Sequence, residues 1–435
     1  MSTITNSVTN SVTNSVTNSV TNSVTTSETP EETKILCSLE VISSARKHAD
    51  SLYVLRVLGY DVIVSRAVFG DIESLDSLVG VKGILFFVDA VIPHRLSTHP
   101  AFSFLSDSHM GKRVKTIKLR GEYSQGLFFT LDKAKEFFPE IKFDELPVGT
   151  NLTNLTGTMK YFAKEDNERP DRSQSNPLSL QERLLDVFPY EIPKTEQIHL
   201  QKQTHLLEDA SERPFVVTLK VDGQSGTFFY DNKKKDMGMC SRNYKLLVDE
   251  AGENVHNPHF VFIEKKYRIL EKLARFCQTS GRSLAIQGEI YGASGKSGNG
   301  SSINGNRLKL KEWRFAVFEI YEWDIVDPDT ESDREEIKEI VEGEQRGRYL
   351  QHAEVVEICK ELGIPHVPVI RECLLKELPQ SIDEWMNMAD SLTWDSLSPV
   401  KGLCAEGMVI KTTDGKLPYI SCKVISRKYL AKFDL

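Results

Sequence analysis

Around residues 165–179 the chain reads EDNERPDRSQSNPLS, a charged, proline-bearing run with a single aliphatic side chain. Such a stretch buries too little apolar surface to offset the entropy of ordering it. It reads as a linker, so one continuous hydrophobic core cannot run through it. The chain is therefore expected to divide into a segment 34–165, a linker 166–179 and a segment 180–435. A second low-complexity run precedes both segments. From Asn6 to Thr25 the tetrad NSVT recurs five times, and its isolated valines and poor helix formers predict a disordered tail over residues 1–33.

The first segment carries β-rich runs, ILCSLEVI, DVIVSRAVF, VKGILFFVDAVI, RVKTIKLRG and SQGLFFTL, broken by Gly, Asp and Pro. Short strands at this spacing suggest a small barrel of the oligonucleotide/oligosaccharide-binding (OB) kind. Within it GKRVKTIKLRG places Lys112, Arg113, Lys115, Lys118 and Arg120 together with no acid. That stretch reads either as a strand edge protected by charge or as a face for phosphates. The second segment mixes α and β. LQERLLDVF is expected to be a short helix capped by Ser179, HFVFIEKKYRILEKLARFCQTSG a helix ended by Gly281, and REEIKEIVEGEQRGRYLQHAEVVEICKELG one or two surface helices.

Bulk properties exclude several classes. A formal charge of -8 over 435 residues means that any polyanion must be held by local basic patches rather than by the whole-molecule field. Seven scattered cysteines without metal-ligand spacing point to a reducing compartment and no structural zinc. No run approaches the roughly 20 apolar residues of a membrane span, and the N-terminus lacks the pattern of a signal peptide. An intracellular protein, cytoplasmic or nuclear and without a membrane partner, is expected.

Chemistry enters at TLKVDG, residues 218–223. A lysine at a strand end has an ordinary pKa near 10.4 and is a poor nucleophile at pH 7 unless its surroundings favour the neutral form. On an extended strand Asp222 would share a face with Lys220, and Gly223 would let another chain or a ligand approach closely. Alone this string is most simply a strand ending at a turn. Four later strings alter that reading: LAIQGEIYG with Glu289, WRFAVFEIYEWD with Phe318, AEGMVIK with Glu406, and ISCKVISRKYL with Lys423.

In that order the strings resemble the covalent nucleotidyltransferase superfamily of ligases and mRNA capping enzymes. CSRNY at 240–244 and FPYEIPKTEQIHLQ at 188–201 are similar to segments of its ATP-dependent RNA ligases with an N-terminal OB domain, and the likeness extends over roughly 36–435. The resemblance implies an α+β chain, an OB-type barrel followed by an ATP-grasp-like adenylyltransferase domain over 180–435. It implies that Lys220 takes AMP from ATP as a lysyl-AMP adduct, that Asp222 and Glu406 hold Mg2+ or Mn2+, and that Lys423 stabilises the phosphate. Catalysis would thus rest on Lys220, Asp222, Glu406 and Lys423. By the same likeness Ser225 lies beside the adenylate phosphate, Arg242 contacts a phosphate or the incoming end, Glu289 binds ribose and Phe318 stacks on adenine.

Two features refine the subclass. Twelve residues follow Lys423, too few for the C-terminal OB domain of DNA ligases and capping enzymes, which leaves the basic N-terminal stretch to meet ATP phosphates or RNA. Many such ligases carry a further lysine where this chain has Ser421, a loss for which Lys411 could compensate. The expected activity is a monomeric RNA ligase joining 3′-OH and 5′-phosphate ends, with nicked duplex RNA as partner and RNA repair as its role. A capping-type guanylyltransferase and a non-catalytic RNA-binding protein on the same fold stand as alternatives.

Overall fold

The computed structural model describes residues 35–49, 52–65, 75–161, 184–293, 302–323, 347–433 and 435. The NSVT tail, the 166–179 linker and Ser179 lie outside the described residues. In the N-terminal part, five antiparallel strands form one sheet in the order Leu127–Thr130, Lys82–Phe86, Cys37–His48, Leu52–Val57, Tyr60–Ser65. Cys37–His48 is long enough to serve two neighbours. Its first residues pair with Lys82–Phe86 and its last with Leu52–Val57, across a register shift between Ile42 and Ser44. Strict alternation in Tyr60–Ser65 sends Tyr60, Val62 and Val64 into the core. Among the described residues no ladder joins Leu127–Thr130 to Tyr60–Ser65, so the expected barrel is present as a half-barrel sheet.

The C-terminal part is a sandwich of two sheets. One has seven strands in the order Leu185–Val187, Tyr244–Leu246, Asp236–Cys240, Gln224–Asp231, Ser283–Gly292, Trp313–Trp323, Gly347–Tyr349. The other has five, Ile198–His199, Ser421–Ile425, Gly407–Thr412, Pro214–Lys220, Val369–Leu374. Helices Pro258–Tyr267, Ile269–Ser280 and His352–Leu362 contribute to the core on the first sheet, and Ile382–Ser391 to that on the second. Trp394 and Leu219 belong to a further cluster with Tyr291, Ala316 and Tyr429, which draws on both sheets and on the last helix, Arg427–Phe433.

Two helix expectations need correction. The described end of LQERLLDVF is a strand, because Leu185–Val187 gains a ladder with Tyr244–Leu246; a short apolar run is ambiguous until its partner is known. The long helix ends at Gly281 (φ +74°) as expected, but it is broken at Arg268 (φ +52°) into two. Residues Ile35–Leu435 form one compact unit. N-terminal strands dock on the sandwich through Arg56 and Asp383 at 2.7 Å, Lys202 Nζ donating to the Ile35 carbonyl at 2.8 Å, and the Thr116 N–H donating to the Leu435 carbonyl at 3.1 Å. Gly59 belongs to the same seam, since a Cβ there would stand 2.9 Å from Gln201 Cβ. Among the described residues no helix is long and apolar enough to cross a membrane.

Candidate active site

The strands flanking TLKVDG belong to different sheets. Pro214–Lys220 ends in the five-stranded sheet and Gln224–Asp231 begins in the seven-stranded one, so Lys220 lies where the chain crosses between them. Residues 221–223 have left the strand, and Asp222 is placed by this crossing rather than by strand alternation. Gly223 performs the role expected of it: a Cβ would stand 2.2 Å from the Ile290 carbonyl oxygen and 2.9 Å from Glu289 Cγ. The crossing therefore lies flat against Ser283–Gly292. Trp394, fully buried, donates its indole N–H to the Lys220 carbonyl at 3.2 Å and fixes the strand end.

Three carboxylates act on the lysine. Glu406 Oε1 is 2.9 Å from Lys220 Nζ, with side chains 17% and 24% exposed. Gly407, directly across from Lys220, brings it there. Glu289 comes from the other sheet, opposite Ser225 and just past the register shift at Gln287/Gly288, where Phe318 of the neighbouring strand is the extra, unpaired residue. Burial opposes the charge on Lys220, yet Glu406, Glu289 and Asp222 hold its pKa above the ordinary lysine value. Burial likewise raises Glu406, against the pull of Lys220 and Lys423. It pushes Glu289 up to about 8, opposed by Lys220 and reinforced by Glu406 and Asp222. At neutral pH this lysine keeps its proton, and only relief of the surrounding carboxylates would free its lone pair.

Asp222 is clamped by residues that the sequence did not single out. Its Oδ1 accepts from Asn304 Nδ2 at 2.8 Å and its Oδ2 from Arg307 Nη1 at 3.2 Å. Arg307 also donates to the Tyr429 hydroxyl at 2.5 Å. Burial, with Asp222 and Glu406, holds the Tyr429 phenol well above the usual range, so it stays neutral. Asn304 adopts φ +46° and gives a second hydrogen bond, to the Gly223 carbonyl, at 2.8 Å. INGNR carried one signal for this, since asparagine tolerates the left-handed region better than most residues.

Oxygen donors of this kind suit a hard divalent ion such as Mg2+ or Mn2+. Among the described residues, however, no group of three or more His, Cys, Asp or Glu is arranged as a metal site. Asp222 and Glu406, the carboxylates expected to hold such an ion, could offer it one or two ligands, with substrate phosphates and water left to complete its shell.

Other expected residues are placed with varying relation to this centre. Lys423 is in register with Val409 and acts electrostatically on Glu406. Phe318 is half-buried in the cluster containing Leu219 and Val221. Its carbonyl accepts from Lys411 Nζ at 2.6 Å. Lys411 also pairs with Glu319 at 3.1 Å, both almost fully buried. Lys411 is directly across from Ser421, with its ammonium held by the Phe318 carbonyl and Glu319. Arg242 is exposed and pairs with Glu196 at 3.4 Å.

The basic stretch does not act as one face. Arg113 is buried, bound to Asp89 and stacked 3.9 Å from the Tyr161 ring centroid. Lys112 is bound to Asp107 and the Leu105 carbonyl. Lys115 is half-buried, whereas Lys118 and Arg120 are exposed on the Thr116–Leu119 strand and its turn.

The profile of the RNA ligase family matches residues 213–430, which contain every strand of this centre. Among solved structures, a Naegleria gruberi RNA ligase mutant with ATP and Mn is 26% identical, with a TM-score of 0.66, over 91% of this chain and 98% of that one. A mutant of the same ligase with AMP and Mn is 25% identical, with a TM-score of 0.66, over 92% and 99%. A third, without ligand, is 25% identical, with a TM-score of 0.65, over 92% and 98%. No curated protein sequence matches. With its profile match spanning half of the sequence and including Lys220, Glu289, Glu406 and Lys423, this chain belongs to the RNA ligase family.

Proposed function

We propose that this chain is an ATP-dependent RNA ligase that seals nicks between RNA 3′-OH and 5′-phosphate ends through a lysyl-AMP adduct on Lys220. The observation that carries this reading is the crossing of the two sheets, where one lysine meets Glu406, Glu289 and Asp222. The deprotonated Nζ forms a bond to the α-phosphorus of ATP, the bond to the β-phosphate oxygen breaks, and pyrophosphate leaves. AMP then passes to an RNA 5′-phosphate oxygen as the P–N bond breaks and the lysine regains a proton. Attack by the RNA 3′-OH on that activated phosphorus forms the phosphodiester and expels AMP.

Asp222 and Glu406 would hold the divalent ion, which would offset their grip on the Lys220 proton and screen charge gained at the phosphate. Lys423 supplies a fixed positive charge to the same phosphate, and Ser225 lies beside it. Glu289, largely protonated near neutral pH, can donate a hydrogen bond to ribose. Phe318 offers a ring for adenine, and Arg242 an exposed guanidinium for the incoming end. The N-terminal strands serve as an OB-type module in which Lys118 and Arg120, rather than Arg113, are placed to meet RNA.

The test is incubation with ATP labelled at the α-phosphate and Mg2+ or Mn2+, followed by denaturing electrophoresis and a panel of nicked duplexes with RNA or DNA on each side. The wild-type chain acquires label and Lys220→Ala does not. Label on the alanine variant, or preferential labelling from GTP, refutes the assignment.

A further inference from the structure

Away from Lys220 the sandwich carries a concavity of about 400 Å³ between residues 187–194 and the turn at Asn243–Tyr244. Phe188, Tyr190, Ile192 and Tyr244 line it, with Lys194 and Asn243 as its polar groups. Tyr190 is 78% exposed, neighbouring Val187 75% and Tyr244 37%. Large apolar side chains left in water singly need no explanation, but a contiguous set around one cavity marks a surface that binds something. Resting on the ligase reading above, we infer that this cavity seats an unpaired nucleobase of the RNA, next to the end being joined.

Charge and placement select this occupant. Lys194 Nζ lies 3.5 Å from Asn243 Oδ1, so it meets a neutral amide at the cavity wall, and it stands 5.8 Å from the Phe188 ring centroid. The nearby acids are engaged: Glu191 with Lys234, Glu196 with both Arg242 and Lys160, and Asp186 with the Val187 N–H. Aromatic rings beside a lysine are what an unpaired base and its phosphate require, and stacking tolerates any base because each has a π-face. The Asn243 amide can both donate to and accept from a base edge. The register Thr227↔Cys240 carries Asp236–Cys240 toward the end of the sheet where Ser225 faces Glu289. Tyr244 then lies on the second strand over from Gln224–Asp231, about 10 Å at ordinary strand spacing.

The experiment uses the full chain and the variants Tyr190→Ala, Tyr244→Ala, Tyr190→Trp and Lys194→Gln, with thermal melts to show that each is folded. Adenylylation by ATP is measured without RNA, and KM is measured separately for a nicked RNA duplex that carries one unpaired nucleotide at the nick. The alanine variants take label at the wild-type rate while KM for RNA rises about 5- to 100-fold, as loss of one stacked base predicts. Tyr190→Trp restores KM, and Lys194→Gln lowers the salt dependence of binding by about one phosphate contact. An unchanged KM for RNA in the Tyr190→Ala/Tyr244→Ala double variant overturns the inference, as does an equal rise in KM for ATP. Absence of label on the wild-type chain instead defeats the ligase reading itself.

Discussion

Gly407→Ala tests how tightly the centre depends on one missing side chain. Gly407 has φ +149° and is directly across from Lys220; a Cβ there would stand 2.1 Å from the Val424 carbonyl oxygen and 3.0 Å from Ile425 Cα. Both obstacles are backbone of the adjoining strand, so a rotamer change cannot relieve them. Overpacking costs about 1–3 kcal/mol and a side chain in this glycine-favoured region about 1–3 kcal/mol more, so a loss of about 2–6 kcal/mol is expected. Gly402→Ala supplies the comparison, with φ +73° and nothing within 4 Å; it bears the left-handed cost alone, about 1–2 kcal/mol. Urea unfolding followed by tryptophan fluorescence reads the difference, because Trp313, Trp323, Trp385 and Trp394 are all buried in the sandwich. Relief of the clash displaces Glu406 from its 2.9 Å contact with Lys220. A shift near 1 Å at a reacting group lowers rate about 100-fold, so label transfer from ATP falls by that order in Gly407→Ala and little in Gly402→Ala. Equal unfolding midpoints for the two variants, or wild-type labelling by Gly407→Ala, would refute this account of the strand pairing.

Four further outcomes follow from the same geometry. Glu289, pushed up to about 8 from an ordinary 4.5, binds more protons folded than unfolded between those values, so its stabilisation is full at low pH and lost as pH rises toward 8; Glu289→Gln should flatten that slope in melts across pH 5–9. Arg307→Met should cost about 3–5 kcal/mol, since it leaves the buried Asp222 carboxylate without its ionic partner, and adenylylation should then need more metal; unchanged stability would show the clamp to be incidental. Lys411→Met should be destabilising by a similar amount through its pair with Glu319, and should recover when Glu319→Met is added; intact stability with a raised KM for ATP would return Lys411 to a phosphate-binding role. Of the seven cysteines, Cys373 alone is not fully buried, so a maleimide should label it first in the native chain, and earlier labelling of Cys404 or Cys422 would contradict the core assignments.

What the sequence made legible were the strands and the order of their terminal charged residues, because β-branched and aromatic runs mark strands locally. Ser283–Gly292, Trp313–Trp323, Gly407–Thr412 and Ser421–Ile425 fall on the strings that suggested them. Their assembly was not legible. Val217 and Phe229 look like two arms of one hairpin, yet they belong to different sheets, and that separation is what opens a place for Lys220. The Asp222 clamp joins residues 82 and 85 positions apart, and Tyr429 is a further 122 from Arg307; no local pattern links them. At 112–120 the partners were illegible for the same reason: Arg113 is neutralised by Asp89, 24 residues earlier, and what remains exposed is Lys118 and Arg120. The last helix connects these facts. It carries Tyr429 to Arg307, sets Arg427 5.5 Å from the Tyr123 ring, and precedes the Leu435 carbonyl that accepts from Thr116. Tyr123 and Thr116 belong to the hairpin that bears Lys118 and Arg120. That hairpin and the element that steadies Asp222 are therefore joined through the last helix, by contacts that only the folded chain contains.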